Sequence, residues 1–68
     1  MIDLTDITNS HIRNTIEEYI HSRRDRSIMV DRYIEGYTFE MIAERHEMST
    51  VQIKRIIYKN EDALLKHL

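Results

Sequence analysis

The feature that most constrains this chain is its shortage of turn residues: it contains one glycine, Gly36, and no proline. Glycine and proline are the strongest local breakers of regular structure, so their scarcity favours helices joined by short connections. No segment alternates apolar and polar residues in the manner of a half-buried strand. The sequence therefore predicts an all-α fold, a small helical bundle of four to five helices within a single domain, residues 1–68.

Composition excludes several classes of protein. The chain has no cysteine, so neither a disulfide framework nor a zinc–thiolate site supplements its small core. No apolar run approaches the roughly 20 residues that a membrane helix needs, and the polar, acidic start is unlike a secretory signal. We therefore expect a cytoplasmic protein with no membrane partner.

The charge distribution is more informative than its sum. The net charge is −2, from 10 basic and 12 acidic residues, whereas DNA-binding domains usually carry a basic excess. Residues 49–59, however, contain Lys54, Arg55 and Lys59 but no acid, so one short segment is locally basic. This segment is either a solvated helix face or a surface that binds an anionic partner.

The first of two supporting helices is predicted from about Ser10 to Ser22, with Asn9 or Ser10 as its N-cap. Its apolar residues recur every four positions and define one face: Ile12, Ile16, Ile20 and the neighbouring Tyr19. This face either packs on the other helices or stays partly exposed as a dimer seam. Before it, residues 1–8, with Ile2, Leu4 and Ile7, either pack loosely on the core or fray.

The second supporting helix is predicted from about Asp25 to Glu35, with Asp25 as its N-cap, so the two helices occupy residues 9–35. Its buried stripe follows helical spacing: Val30, Tyr33, Ile34 and Tyr37, bordered by Met29. Gly36 is expected at the C′ position in the left-handed conformation. The charged cluster at residues 22–26, SRRDR, is either a solvated corner or a second contact for phosphate or an acidic partner.

Residues 38–59 predict two further helices. The third helix should run from about Phe39 to His46 with Thr38 as N-cap, and its inner face should be Phe39, Ile42 and Ala43, assisted by Met41. The fourth should begin at Ser49, which forms a capping box with Gln52, and bury Ile53, Ile56 and Ile57. Asn60 either ends the fourth helix or caps a fifth over residues 61–68, which carries Leu64, Leu65 and Leu68. A single long helix through Lys59 is a further alternative.

The connection between the third and fourth helices predicts a helix-turn-helix. Only two residues, Glu47 and Met48, separate His46 from the capping Ser49, which forces a sharp angle between packed helices. Met48 should plug the turn, and His46 should lie partly exposed. Glu47 stands where such turns usually have glycine, and its left-handed conformation costs roughly 1 kcal/mol.

A resemblance to a known family follows from the stretch IEGYTFEMIAERHEMSTVQIKRII, residues 34–57. Its glycine, threonine, acidic residue, Ile-Ala pair and serine-opened second helix resemble the helix-turn-helix of sigma factor region four and of small phage and bacterial regulators. The similarity covers about Asp25–Leu68. It implies a sequence-specific DNA-binding transcription regulator in a bacterial or phage-infected cell. The second helix, about 49–59, would enter the major groove of double-stranded DNA, with a homodimer as one possibility.

The DNA-binding residues that this resemblance implies lie on and around the fourth helix. Arg55 and Lys54 have the chemistry to hydrogen-bond guanine, and Thr50 and Val51 can contact thymine methyl groups. The remaining candidates suit phosphate oxygens or, for Gln52, adenine: Thr38, Arg45, Ser49, Gln52, Tyr58 and Lys59.

Other chemistry has less support in the sequence. Glu17 and His21 lie four residues apart but offer only two metal ligands, so no metal or other cofactor is expected. No Ser–His–acid arrangement or glycine-rich phosphate loop stands out, and an enzyme is not expected. The alternative function is a protein–protein interaction module that keeps the helix-turn-helix fold and binds RNA polymerase or another protein. Crowding of the recognition face by Glu40, Glu44 and Glu47 would favour that alternative.

Overall fold

The computed structural model describes residues 8–68, which form four helices and no strand. In chain order these are α1 (Asn9–Tyr19), α2 (Arg23–Tyr33), α3 (Phe39–His46) and α4 (Thr50–His67). The all-α prediction is therefore confirmed. Ile2, Leu4 and Ile7 lie outside the described residues. Across residues 8–68 every helix is too short or too polar to span a membrane.

The caps of α1 and α2 differ from the sequence prediction. Thr8, rather than Asn9 or Ser10, caps α1 by accepting a hydrogen bond from the amide of His11, and the helix ends at Tyr19, before Ser22. Ser22, rather than Asp25, caps α2 by accepting from the amide of Asp25. Serine, threonine and aspartate are all good caps, so local preference cannot choose between neighbouring candidates. As a result Asp25 falls inside the first turn of α2.

The end of α2 uses the single glycine. Ile34 is the C-cap, so Gly36 lies two residues beyond it rather than at the predicted C′ position. Gly36 has φ +75°, a conformation that glycine adopts without steric cost. The chain then turns back, and the amide of Tyr37 donates to the carbonyl of Asp31 over 2.9 Å.

One hydrophobic core lies between the four helices. Ile12, Ile16 and Ile20 of α1 are buried in it, so they are core and not a dimer seam, whereas Tyr19, predicted on the same face, is 39% exposed. The buried face of α2 is rotated about the helix axis relative to the prediction, because Ile28 and Met29 are its fully buried residues. The predicted stripe is only partly buried at the edge of the core: Val30, Tyr33, Ile34 and Tyr37.

The last helix is longer than predicted. α4 continues through Asn60 to His67, so no fifth helix forms among the described residues. Asn60 is buried, and its amide donates to Asp25 Oδ2 over 3.0 Å and to the carbonyl of Ile56 over 2.9 Å. Leu64 is also fully buried. At the end of α4 the ring of His67 stacks on Tyr19 of α1 with centroids 3.6 Å apart.

Candidate nucleic-acid interface

The turn between α3 and α4 is built without glycine. Glu47 adopts the left-handed conformation, φ 54° and ψ 44°, and its amide donates to the carbonyls of Ala43 and Glu44. The next amide, of Met48, donates to the carbonyl of Ala43 over 2.9 Å, while the Met48 side chain packs against the core. The turn therefore takes the backbone path expected of a helix-turn-helix, with the glycine position filled by glutamate.

Hydroxyl caps open both helices of the motif, at the two predicted residues. Thr38 Oγ1 accepts from the amide of Met41 over 3.2 Å at the start of α3. Ser49 Oγ accepts from the amide of Gln52 over 3.2 Å, and Gln52 Oε1 accepts from the amide of Ser49 over 3.1 Å. This reciprocal capping box fixes the direction in which α4 leaves the turn. The same capping box engages the side-chain oxygen of Gln52 in a hydrogen bond, although the sequence predicted that Gln52 could bind adenine.

The outer face of α4 is open to solvent. Ile53, Ile56 and Ile57 are buried, so side chains on the opposite side of the helix point outward. These outward residues are the predicted set of Val51, Lys54, Arg55, Tyr58 and Lys59. Val51 and Tyr58 expose 63% and 58% of their surface, so both side chains are accessible to a binding partner. Thr50, at the start of the helix, is half-buried.

Two predicted phosphate ligands are already paired with buried carboxylates. Arg45 Nε lies 3.2 Å from Asp31 Oδ2, an oxygen that His46 Nε2 also contacts at 3.0 Å. Lys59 Nζ lies 3.8 Å from Asp25 Oδ2. Both cations remain largely exposed, so the two acids hold them in place at the surface while reducing their net positive charge.

An arginine that sequence reasoning missed lies beside the motif. Arg32 Cζ is 4.2 Å from the ring centroid of Phe39, and Lys54 Nζ is 5.4 Å from the same centroid. The ring of Tyr58 meets Phe39 edge-on at 6.3 Å. The sequence carries no signal for this cluster, because its members come from α2, α3 and α4 and only their packing brings them together.

The outer face of α3 has a different character. Met41, predicted to assist the core, is instead 46% exposed, since it lies on the side of α3 opposite Ile42 and Ala43. A shallow pocket there is lined by Tyr37, Met41, Glu44 and Arg45. Glu40, Glu44 and Glu47 are all exposed. This helix therefore presents acids around one exposed methionine, whereas the first half of α4 presents cations.

The charged cluster at residues 22–26 is largely engaged in local structure. Ser22 is the N-cap, Arg24 Nε lies 3.4 Å from Asp25 Oδ1, and Arg26 donates to the carbonyl of Ile20. Among residues 8–68 no three histidines or acids are grouped to hold a metal ion.

Comparison with known proteins identifies a family that matches this part of the chain. A family model described as Sigma-70, region 4 matches residues 22–59, from the N-cap of α2 into the second half of the helix-turn-helix. No curated protein and no solved structure matches the chain significantly. The matched range contains α2, α3, the glutamate turn and α4 as far as Lys59.

Proposed function

Because this chain belongs to the sigma-70 region 4 family of helix-turn-helix DNA-binding domains, we propose that it is a sequence-specific regulator of transcription that inserts α4 into the major groove. The observation that carries the proposal is the open face of α4, where Val51, Lys54 and Arg55 are exposed directly after a capped helix start. In helix-turn-helix proteins the early residues of the second helix are those that contact base edges.

Specific base recognition would come from few side chains. Arg55 has the paired donors that match the two acceptors of guanine, and Lys54 can reach guanine or phosphate. Val51 and the methyl group of Thr50 offer apolar contact to a thymine methyl. Gln52 is a weaker candidate for adenine, because its oxygen already accepts from the amide of Ser49.

Orientation on the duplex would come from phosphate contacts around this face. Thr38 and Ser49 stand at helix N-termini, where free amides attract anions. Tyr58 adds an exposed hydroxyl group. Arg45 and Lys59 should contribute less than unpaired cations would, since Asp31 and Asp25 partly neutralise them. The resulting interface suits a protein that binds duplex DNA with a modest electrostatic contribution to affinity.

The direct test is selection of duplexes from a random pool, followed by affinity measurements at several salt concentrations. Log affinity should fall steeply with log salt, because phosphate contacts release counterions. Arg55→Ala should weaken binding by about 1–3 kcal/mol and relax the preference at one base pair. Lys66→Ala, at an exposed lysine near the other end of α4, is the matched control and should leave the preference intact. No binding to any duplex at about 50 mM salt would refute the proposal.

A second candidate function has its own observation. Glu40 and Glu44 flank the exposed Met41 on α3, an acidic and apolar surface better matched to a protein than to DNA. RNA polymerase, which region 4 domains of sigma factors also bind, or another protein would be the partner. Recovery of the same protein from a bacterial lysate with and without nuclease treatment would favour this function; recovery lost on nuclease treatment would favour DNA.

The proposed regulator would act in the cytoplasm of a bacterial or phage-infected cell. Whether it binds as a homodimer is decided by the stoichiometry of the complex on the selected duplex. Two protomers should protect two half-sites about one helical turn apart.

A further inference from the structure

We propose that Arg32, together with the ring of Phe39, forms an additional phosphate-binding position of this interface, an assignment that rests on the DNA-binding function proposed above. Arg32 lies in the last turn of α2, outside the residues that sequence considerations point to. Phe39 is the first residue of α3 and is half-buried against the core.

The geometry fixes the position of the guanidinium group. Arg32 Cζ lies 4.2 Å from the centroid of Phe39, within the range of a cation–π contact. Its Nη1 donates to the carbonyl of Tyr37 over 3.0 Å, in the loop that leads into α3. Two anchors thus hold a long side chain that would otherwise be flexible. An ordered cation loses less conformational entropy when a ligand binds.

Electrostatics favours an anion at this point. Lys54 Nζ approaches the same ring, 5.4 Å from its centroid, so two positive charges from α2 and α4 converge on one aromatic side chain. The partial negative charge of the ring face neutralises only part of this positive charge. A phosphate group beside the ring would therefore gain favourable electrostatic energy. The first backbone amides of α3, which have no acceptor within that helix, add favourable partial charge beside Phe39.

The guanidinium group retains donors for a ligand. Arginine has five N–H donors in a planar fork, and the bond to Tyr37 uses one of them. Arg32 is half-exposed, and no carboxylate lies within ion-pairing distance of it among residues 8–68, in contrast to Arg45. Among residues 8–68 its charge is therefore not neutralised by a carboxylate and can act on the DNA backbone. The contact would be independent of base sequence, because it involves phosphate alone.

The test compares wild type with two neutral variants and one charged variant. Arg32→Gln and Arg32→Met remove the charge, and methionine preserves an unbranched stem over the Phe39 ring. Arg32→Lys keeps the charge. Arg13→Gln is the control, since Arg13 is exposed on α1, a helix that does not contact α3. Far-UV melting curves establish which variants are folded, and the affinity of each for a selected and a random duplex is measured across salt concentrations.

Each result separates the possibilities. In either folded neutral variant, the slope of log affinity against log salt should become shallower by about 1, with equal weakening on both duplexes. Arg32→Lys and Arg13→Gln should keep the wild-type slope. A wild-type slope in a folded neutral variant, with weaker binding or without it, overturns the assignment of Arg32 alone. Absence of duplex binding by the wild type overturns the proposed function itself.

Discussion

Glu47 carries the main backbone strain of the helix-turn-helix. It is the one non-glycine residue with positive φ among residues 8–68, at the position where the chain reverses between α3 and α4. The left-handed conformation crowds Cβ against the backbone, and the carboxylate also lies at the negative end of the α3 dipole. The amide bonds to Ala43 and Glu44 compensate for part of this cost.

Relief of this strain should stabilise the protein. We predict that Glu47→Gly raises the free energy of unfolding by about 1 kcal/mol, since glycine adopts the left-handed conformation without a Cβ clash. Glu44→Gly is the matched control, because it removes the same side chain from the interior of α3, and should destabilise by about 1 kcal/mol. Urea denaturation measures both changes. A lower free energy of unfolding in Glu47→Gly would contradict the interpretation that the backbone of Glu47 is strained.

Asp25 and Asn60 form a buried polar pair between α2 and α4. Asp25 is 3% exposed and accepts a hydrogen bond from the Asn60 amide over 3.0 Å. Its carboxylate also lies 3.4 Å from Arg24 Nε and 3.8 Å from Lys59 Nζ. Burial of a carboxylate is costly unless it is hydrogen-bonded, so the bond from Asn60 reduces the free-energy cost of burying Asp25. Asp25 also pairs with Lys59, which lies at the rim of the proposed interface.

Loss of the amide should leave the carboxylate short of donors. We predict that Asn60→Ala lowers the free energy of unfolding by about 1–3 kcal/mol, the usual cost of an unsatisfied buried polar group. Asp62→Ala, on the exposed side of the same helix, should change it by less than about 0.5 kcal/mol. Equal effects of the two substitutions in urea denaturation would argue against a specific role for Asn60.

At the scale of elements, α4 is held along its whole length. The capping box fixes its first turn, and the Asn60 contact its middle. Further along, Tyr33 of α2 donates to the carboxylate of Glu61. Burial and this carboxylate raise the pKa of the Tyr33 hydroxyl above its ordinary value. The outer face of α4 is thereby presented by a helix with several independent supports, which suits recognition of a rigid duplex.

The raised pKa makes a prediction about alkaline stability. A hydroxyl whose pKa is higher in the folded state contributes stability below the unfolded pKa of about 10, and this contribution is lost as pH rises toward the folded value. The free energy of unfolding should therefore decline above about pH 10, and Tyr33→Phe should reduce that decline. Denaturant titrations across this range measure it. Asp62→Asn, which neutralises the neighbouring exposed acid, should keep the wild-type profile; an unchanged profile in Tyr33→Phe would contradict the prediction.

At the scale of the whole molecule, every helix contributes to one core. The fully buried side chains come from all four helices: Ile16, Ile28, Met29, Ile42, Ile53, Ile57 and Leu64. A domain of this size has little stability in reserve, so its parts should unfold together. The face of α4 that is proposed to bind DNA therefore depends on the same core as α1, a helix that does not contact α3.

A core deletion should therefore affect the entire fold. We predict that Ile16→Ala costs about 2–5 kcal/mol, from lost burial and the cavity left behind. Helix content and tyrosine near-UV signals should still melt together, because a single core supports both. Val51→Ala, at a side chain that is 63% exposed, should cost less than about 0.5 kcal/mol. Separate melting of the two signals would show that the four helices do not unfold as one cooperative unit.

Local features were the most predictable from sequence. The caps at Thr38 and Ser49, the partner Gln52 and the left-handed Glu47 all follow from bonds between residues three or four apart, which a short stretch contains completely. The same locality explains the errors at the first two caps. Several adjacent residues there have cap chemistry, and the choice depends on contacts beyond the local segment.

The sequence by itself determined the helical class, the helix-turn-helix and the outward residues of α4, because helical periodicity and capping are short-range properties. Tertiary structure alone decided the contacts of Asp25, Asn60 and Arg32. The bond from Asn60 to Asp25 joins residues 35 positions apart, and a residue that looks like a helix stop locally is stable mid-helix once its amide is satisfied there. Arg32 likewise meets Phe39 and Lys54 only because three helices pack at one corner.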